Sequence, residues 1–188
     1  IAELIANDFQ PLLRREPARI LDLCAGGGCI GIACALQFPL SEVVLADNSK
    51  AALALAQENI ELHGLTGRVR CQHSDLFAKL EPAFDLIVCN PPYVSGKEME
   101  ALPDEYRHEP RSALFSPEEG LALPLAILAR AQAFLNPEGL LIMEVGLSAD
   151  RLQARLKDVP LLWLDFEEGG EGVFALTAAQ LAQYRDRF

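Results

Sequence analysis

The tetrapeptide Asn90-Pro91-Pro92-Tyr93 combines a carboxamide, backbone carbonyls and an aromatic face within one short stretch. Two consecutive prolines remove two backbone donors and fix two φ angles. That excludes the segment from a helix interior and from the centre of a sheet. It follows Phe84–Cys89, an apolar run with the length and composition of a buried strand. A stiff, extended arm therefore leaves the carboxyl end of a strand, which is where open α/β sheets bind ligands. Asn90 and Pro91 offer oxygen acceptors for a planar NH2 group, Pro92 braces them, and Tyr93 offers a ring to pack on a flat substrate. A proline-stiffened structural turn is the alternative reading of these four residues.

A second group of residues lies upstream. Asp22-Leu23-Cys24-Ala25-Gly26-Gly27-Gly28 joins the apolar run Arg19–Cys24 to a helix expected over Cys29–Gln37. Glycines at such a junction let the backbone approach a ligand closely and aim the helix N-terminus at it. Gly26, Gly28 and Gly31 come near the dinucleotide-binding spacing without matching it. Asp47 closes the next apolar run about twenty residues after the glycines, where a carboxylate can accept from both hydroxyls of a ribose. It suits a turn or cap beside Asn48 and Ser49 equally well. Asp75 and Leu76 follow a third run, where they would meet an adenine edge or form a solvated turn.

The elements that must position these residues alternate between the two periodicities. Strands are expected at Arg19–Cys24, Glu42–Ala46, Arg68–His73, Phe84–Cys89, Gly139–Val145, Leu161–Phe166 and Gly172–Leu176. Helices are expected over Cys29–Gln37, Pro117–Leu135, Ser148–Lys157 and Ala178–Asp186. Another runs from an N-cap at Ser49 to about His63, with Leu53, Ala56 and Ile60 on one face and Gly64 as the stop. Repeated βα units imply an α/β fold with a mainly parallel seven-stranded sheet, right-handed crossovers and helices on both faces. Glu167–Glu171 is too short for a parallel crossover, so the last strand runs antiparallel. Residues 1–18 read as a leading helix and connector, and residues 19–188 as the catalytic domain. The loop Val94–Ser116 is longer than a structural link requires.

At 188 residues and 51% hydrophobic content the chain fits one globular domain. No apolar run approaches the ~20 residues of a membrane span, and nothing near Ile1 resembles a signal peptide. The absence of an initiating Met suggests a piece of a longer protein with a further upstream region. Five cysteines without a CxxC pair read as reduced thiols, which with the missing signal peptide places the protein in the cytoplasm. A net charge of −11 and the lack of a basic cluster favour a basic protein partner over a nucleic acid or a membrane.

A glycine loop after strand one, acids after strands two and three and NPPY after strand four all fall along one sheet edge. In this conjunction the chain resembles the class I S-adenosylmethionine-dependent methyltransferases over nearly its whole length, which implies a Rossmann-like fold. A nicotinamide enzyme would share the first two features without needing a rigid NPPY arm. Leu102-Pro103-Asp104-Glu105-Tyr106-Arg107-His108-Glu109-Pro110 and Gly169-Gly170-Glu171-Gly172-Val173-Phe174 resemble the bacterial protein-glutamine N5-methyltransferase family. The EYRHEP stretch is most similar to the branch acting on ribosomal protein uL3, and the release-factor branch is the alternative.

That resemblance implies S-adenosylmethionine as donor, leaving as S-adenosylhomocysteine. It implies donor contacts from Asp22, Cys24, Ala25, Gly26, Gly27, Gly28, Asp47, Asn48, Asp75, Leu76 and Asn90, and a glutamine held by Asn90 to Tyr93. The chain departs from the family at Asn48, where Ile or Val is common, at Glu171, where Asp is common, and at Leu76, often a larger residue. The family also carries a helical N-terminal substrate-recognition domain, of which residues 1–18 would be the remnant. An adenine N6-methyltransferase remains the competing function, because adenine and glutamine both offer a planar NH2. No metal is implied, and no general base is needed, since a methylated amide nitrogen is acidic enough to lose its proton to water. His63, His73 and His108 therefore take no assigned role, and Glu105 and Glu109 would steer a basic protein.

Overall fold

A computed structural model describes residues 1–99, 110–167 and 169–188. The expected contact loop at Asp104–Glu109 lies outside the described residues. The strands are β1 (Arg19–Leu23), β2 (Glu42–Asp47), β3 (Val69–His73), β4 (Phe84–Cys89), β5 (Leu135–Glu144), β6 (Leu162–Leu164) and β7 (Val173–Thr177). The helices are α1 (Ala2–Ala6), α2 (Cys29–Gln37), α3 (Lys50–Leu62), α4 (Gly96–Met99), α5 (Arg111–Leu114), α6 (Ala122–Ala131), α7 (Ala149–Arg155) and α8 (Ala178–Gln183).

All seven strands form one sheet in the order β3-β2-β1-β4-β5-β7-β6, with β7 antiparallel to both of its neighbours. Strand order reverses between β1 and β4, the switch point at which α/β sheets open a crevice. The central strands are apolar on both faces because helices cover both. One face gathers Leu21, Leu23, Ile87, Met143 and Phe174, and the other gathers Ile20, Leu45, Leu86, Val88 and Ile142. Each fully buried Leu, Ile or Phe contributes roughly 1.5–3 kcal/mol, and that core fixes where the strand ends lie.

The sequence reading places α2 to the residue, and Ser49 caps α3 by accepting from the Ala52 N–H at 3.2 Å. Most other boundaries move by one to a few residues, β6 shrinking from the expected Leu161–Phe166 to Leu162–Leu164. The helix expected from Pro117 begins only at Ala122, because Glu118 and Glu119 take left-handed φ angles of 54° and 57°. Gly120 follows at φ 91°, with its Cα against the Tyr93 carbonyl so that a Cβ would collide with it. The α-helix passes at Ala131 into a 3-10 turn over Gln132–Phe134, one residue short of the expected end, because Leu135 pairs with Phe84 to start β5 four residues early. The register then shifts before Leu140 pairs with Leu86, and Asn136 Nδ2 donates to Asp85 Oδ1 at 2.7 Å across the irregularity. The leading segment, with its helix α1, packs on the rest of the domain. Phe9 is fully buried, stacks on Phe38 with ring centroids 6.2 Å apart, and joins Leu4, Ile5 and Leu13 in the core beneath α2.

Candidate active site

Strand register brings the expected residues together. Leu23 pairs with Cys89, so the next residues, Cys24 and Asn90, stand at adjacent corners of the switch-point crevice. The Cys24 and Cys89 thiols meet there. Burial first, then the bond to Cys24, pushes the Cys89 thiol well above its ordinary value, so it is a neutral wall rather than a nucleophile. The NPPY arm and the glycine loop therefore leave neighbouring strands at the same edge of the sheet.

The loop is tied to β2 by its backbone. Gly26 N–H donates to Asp47 Oδ2 at 2.9 Å, Ala25 N–H to the Ala46 carbonyl at 3.1 Å, and Asn59 Nδ2 to the Gly27 carbonyl at 2.9 Å. Gly28 caps α2 at φ 83°, and a Cβ there would lie 2.6 Å from Leu45. A Cβ at Gly26 would meet nothing within 4 Å, so the face of the loop towards the crevice is open. Asp47 also accepts from the Ser49 N–H at 2.7 Å through Oδ1. The turn reading of this residue is what the two bonds show, and each oxygen keeps a further lone pair.

Asp22 is the most unusual group of the site. It is 1% exposed on β1, and its Oδ2 accepts from the Gly31 N–H at 2.7 Å. Its Oδ1 has no partner among the described residues. Burial raises the carboxyl to about 7, with the nearby charge of Asp47 adding and the Gly31 bond opposing. A buried carboxylate oxygen without a partner is an uncompensated acceptor beside the glycine loop.

The other expected donor residues sit at the ends of β2 and β3. Asn48 is exposed, and its carbonyl meets His73 Nε2 at 3.0 Å. Asp75 is exposed, and its carbonyl accepts from the Ala78 N–H. Leu76 sits at φ 45° with its carbonyl accepting from the Ser74 hydroxyl at 2.7 Å, and its side chain packs partly against the core. Leu76 therefore presents an aliphatic surface just after β3.

At the NPPY corner, Asn90 Nδ2 donates to Glu144 Oε1 at 3.3 Å, which leaves Asn90 Oδ1 without a partner among the described residues. Burial raises the Glu144 carboxyl above its ordinary value. The arm beyond Asn90 is clamped. Tyr93 O accepts from Ser148 Oγ at 2.7 Å, and Ser148 Oγ accepts from Arg151 Nη2 at 2.7 Å. Arg151 makes a two-pronged ion pair with Glu98 at 2.9 and 3.0 Å. Bonds from Arg151 hold the Glu98 carboxyl down at about 2 against the opposing effect of burial, with the Ser95 N–H assisting. Val94 adds two backbone bonds to Leu114 and Ser116. The Tyr93 ring lies over Gly146, where a Cβ would come within 2.7 Å of it.

Sequence reasoning brought NPPY and the glycine loop to one place but missed this supporting set. Glu144 carried a readable signal, because it is an acid ending an apolar strand, as Asp47 is. Ser148, Arg151 and Glu98 carried none, since their pairing depends on how a long loop folds back.

The family of methyltransferase small domains matches residues 2–108. The chain belongs to that family. A curated ribosomal protein uL3 glutamine methyltransferase of Francisella tularensis subsp. tularensis is 44% identical over the whole chain, which covers 61% of that relative. The protein of the same name from Neisseria meningitidis serogroup A is 42% identical over 96% of the chain and 60% of its own length. The chain thus spans about three fifths of the curated relatives it matches. Among solved structures, the ribosomal protein L11 methylase of Lactobacillus delbrueckii subsp. bulgaricus has a TM-score of 0.60 at 19% identity, covering 93% of this chain and 75% of that one. The 16S rRNA N2 G1207 methyltransferase of T. thermophilus, solved with AdoMet and guanosine, has a TM-score of 0.61 at 21% identity, covering 94% and 42%. At those identities the likeness is one of fold. The methyltransferase domain has no helix, among the described residues, that is long and apolar enough to cross a membrane. Its five cysteines are free thiols.

Proposed function

We propose that this methyltransferase domain transfers a methyl group from S-adenosylmethionine to the side-chain amide nitrogen (N5) of a glutamine in ribosomal protein uL3. The observation that carries the proposal is the Asn90 corner. Asn90, whose Nδ2 donates to Glu144, stands beside the glycine loop at the switch point. The 44% identity to a uL3 glutamine methyltransferase supports the substrate, and the −11 charge suits a basic ribosomal protein.

The bound donor supplies an electrophilic methyl on a sulfonium centre. Asp22 Oδ1 is the acceptor available for its ammonium group, Asp47 for its ribose hydroxyls, and the open face of Gly26 for its amino-acid portion. Amide nitrogen is a poor nucleophile because its lone pair is delocalised into the carbonyl. Asn90 Oδ1 and the Pro91 carbonyl can each accept one N–H of the glutamine, which fixes the nitrogen in line with the methyl. Positioning of this kind is worth up to ~7–11 kcal/mol in well-oriented systems. The same acceptors strengthen as the nitrogen becomes cationic, so they stabilise the transition state more than the ground state. The surplus proton then leaves to water. The free, lone-pair-bearing oxygens lie where no described side chain competes for them.

The direct test is to incubate the protein with radiolabelled S-adenosylmethionine and, in parallel, unmethylated uL3, release factor or nucleic acid. Label in uL3, located on a glutamine by tandem mass spectrometry, is the expected result. Label only in release factor or only in an adenine would overturn the substrate assignment.

A further inference from the structure

We infer that Glu144 is a positioning residue for methyl transfer: it decides which end of the Asn90 carboxamide faces the substrate. The inference rests on the glutamine reading above, because a substrate NH2 is what makes that choice matter. The two ends of a carboxamide are nearly identical in shape and opposite in hydrogen-bonding sense. If the NH2 end faced the crevice, donor would meet donor and the glutamine would not be held.

Nothing intrinsic to the arm makes this choice. Asn90 is exposed and lies outside any helix or strand, and its bond to Glu144 is the one hydrogen bond of its side chain among the described residues. An ionised carboxylate only accepts, so it can meet only the NH2 end. Glu144 is also placed independently of Asn90. It is the last residue of β5, paired with Val173 on β7, and the following Val145 N–H donates to the Gly172 carbonyl at 2.8 Å. Cys89 pairs with Met143, so Asn90 and Glu144 are the successive residues of two neighbouring strands. The sheet itself therefore delivers an acceptor to the side of Asn90 facing away from the glycine loop.

The test uses the Glu144→Ala, Glu144→Gln and Asn90→Asp variants and the Glu144→Gln/Asn90→Asp pair. In 15N-labelled protein the Asn90 side-chain amide is assigned by its loss in Asn90→Asp. Glu144→Ala should shift that signal and speed its hydrogen exchange, and an unmoved signal overturns the inference whether or not uL3 is methylated. With unmethylated uL3 as substrate, Glu144→Ala should lower kcat about tenfold, the worth of one charge-assisted hydrogen bond. KM for S-adenosylmethionine should stay within about twofold, the mark of an interaction made towards the transition state. Unchanged kcat, or a loss seen only in donor KM, overturns it. Asn90→Asp sets two carboxylates face to face, and adding Glu144→Gln restores a donor–acceptor pair with an oxygen towards the crevice. The pair should therefore turn over faster than Asn90→Asp alone, and a pair no better contradicts the inference. A moved amide signal in a protein that leaves uL3 unlabelled rejects the substrate and keeps the orienting role.

Discussion

Asp22→Asn is the perturbation whose size follows most directly from the structure. In the free protein the carboxyl moves from an ordinary value of 3.8 to about 7 because it is buried with one oxygen unpaired. Holding it ionised at neutral pH therefore costs the folded state roughly 4 kcal/mol. The sign is that of a raised carboxyl: the folded state binds more protons than the unfolded one between about pH 4 and 7. Stability from this group is lost as pH rises through that window. Asn has the same shape and no charge to desolvate. Urea unfolding from pH 4 to pH 8 should show wild-type stability falling relative to the variant by about 3–4 kcal/mol, with the variant the more stable at pH 8. Calorimetry should show the reverse for function. The variant should bind S-adenosylhomocysteine about 10–100-fold more weakly, through loss of a charge-assisted bond, and wild-type affinity should weaken as pH falls below about 7. A stability difference that does not change with pH, or an unchanged affinity, would refute the reasoning. If it holds, the domain carries a strained carboxylate in order to grip its donor.

Three further outcomes are expected. Asp47→Ala should raise the Kd for S-adenosylhomocysteine at least tenfold while leaving kcat at saturating donor largely intact, because it removes a ribose acceptor and frees the Gly26 and Ser49 N–H groups. Asn90→Ala should abolish turnover with S-adenosylhomocysteine affinity within about twofold by calorimetry, since that side chain serves the acceptor rather than the donor. Arg151→Gln should loosen the clamp on Tyr93 and lower kcat. Because the Glu98 carboxyl is held down at about 2, the stability that the ion pair provides is full above the ordinary carboxylate value of 4.5 and disappears as pH falls towards 2. A wild-type-minus-variant difference that persists at pH 2 would contradict this.

Much of the frame was legible because it rests on local rules. The glycines stop and start elements, Ser49 caps α3, and apolar runs of strand length alternate with helical periodicity. NPPY was legible because two prolines after a buried strand permit few other conformations. What escaped depends on contacts far apart in the chain. The turn at Glu118–Gly120 bends because it must pass the Tyr93 carbonyl, and β5 starts early because Leu135 finds Phe84. Phe9 fills a hole beneath α2 that its own neighbours do not announce. The orientation of Asn90 belongs to the same class, since the residue that sets it is supplied by a different strand.

The most direct measurement is a crystal structure of the protein with S-adenosylhomocysteine and a glutamine-bearing uL3 peptide. The account predicts the glutamine nitrogen about 3 Å from Asn90 Oδ1 and from the Pro91 carbonyl, facing the sulfur, with Asn90 Nδ2 still bound to Glu144. A glutamine seated elsewhere, or an Asn90 oxygen turned towards Glu144 and away from the peptide, would contradict it.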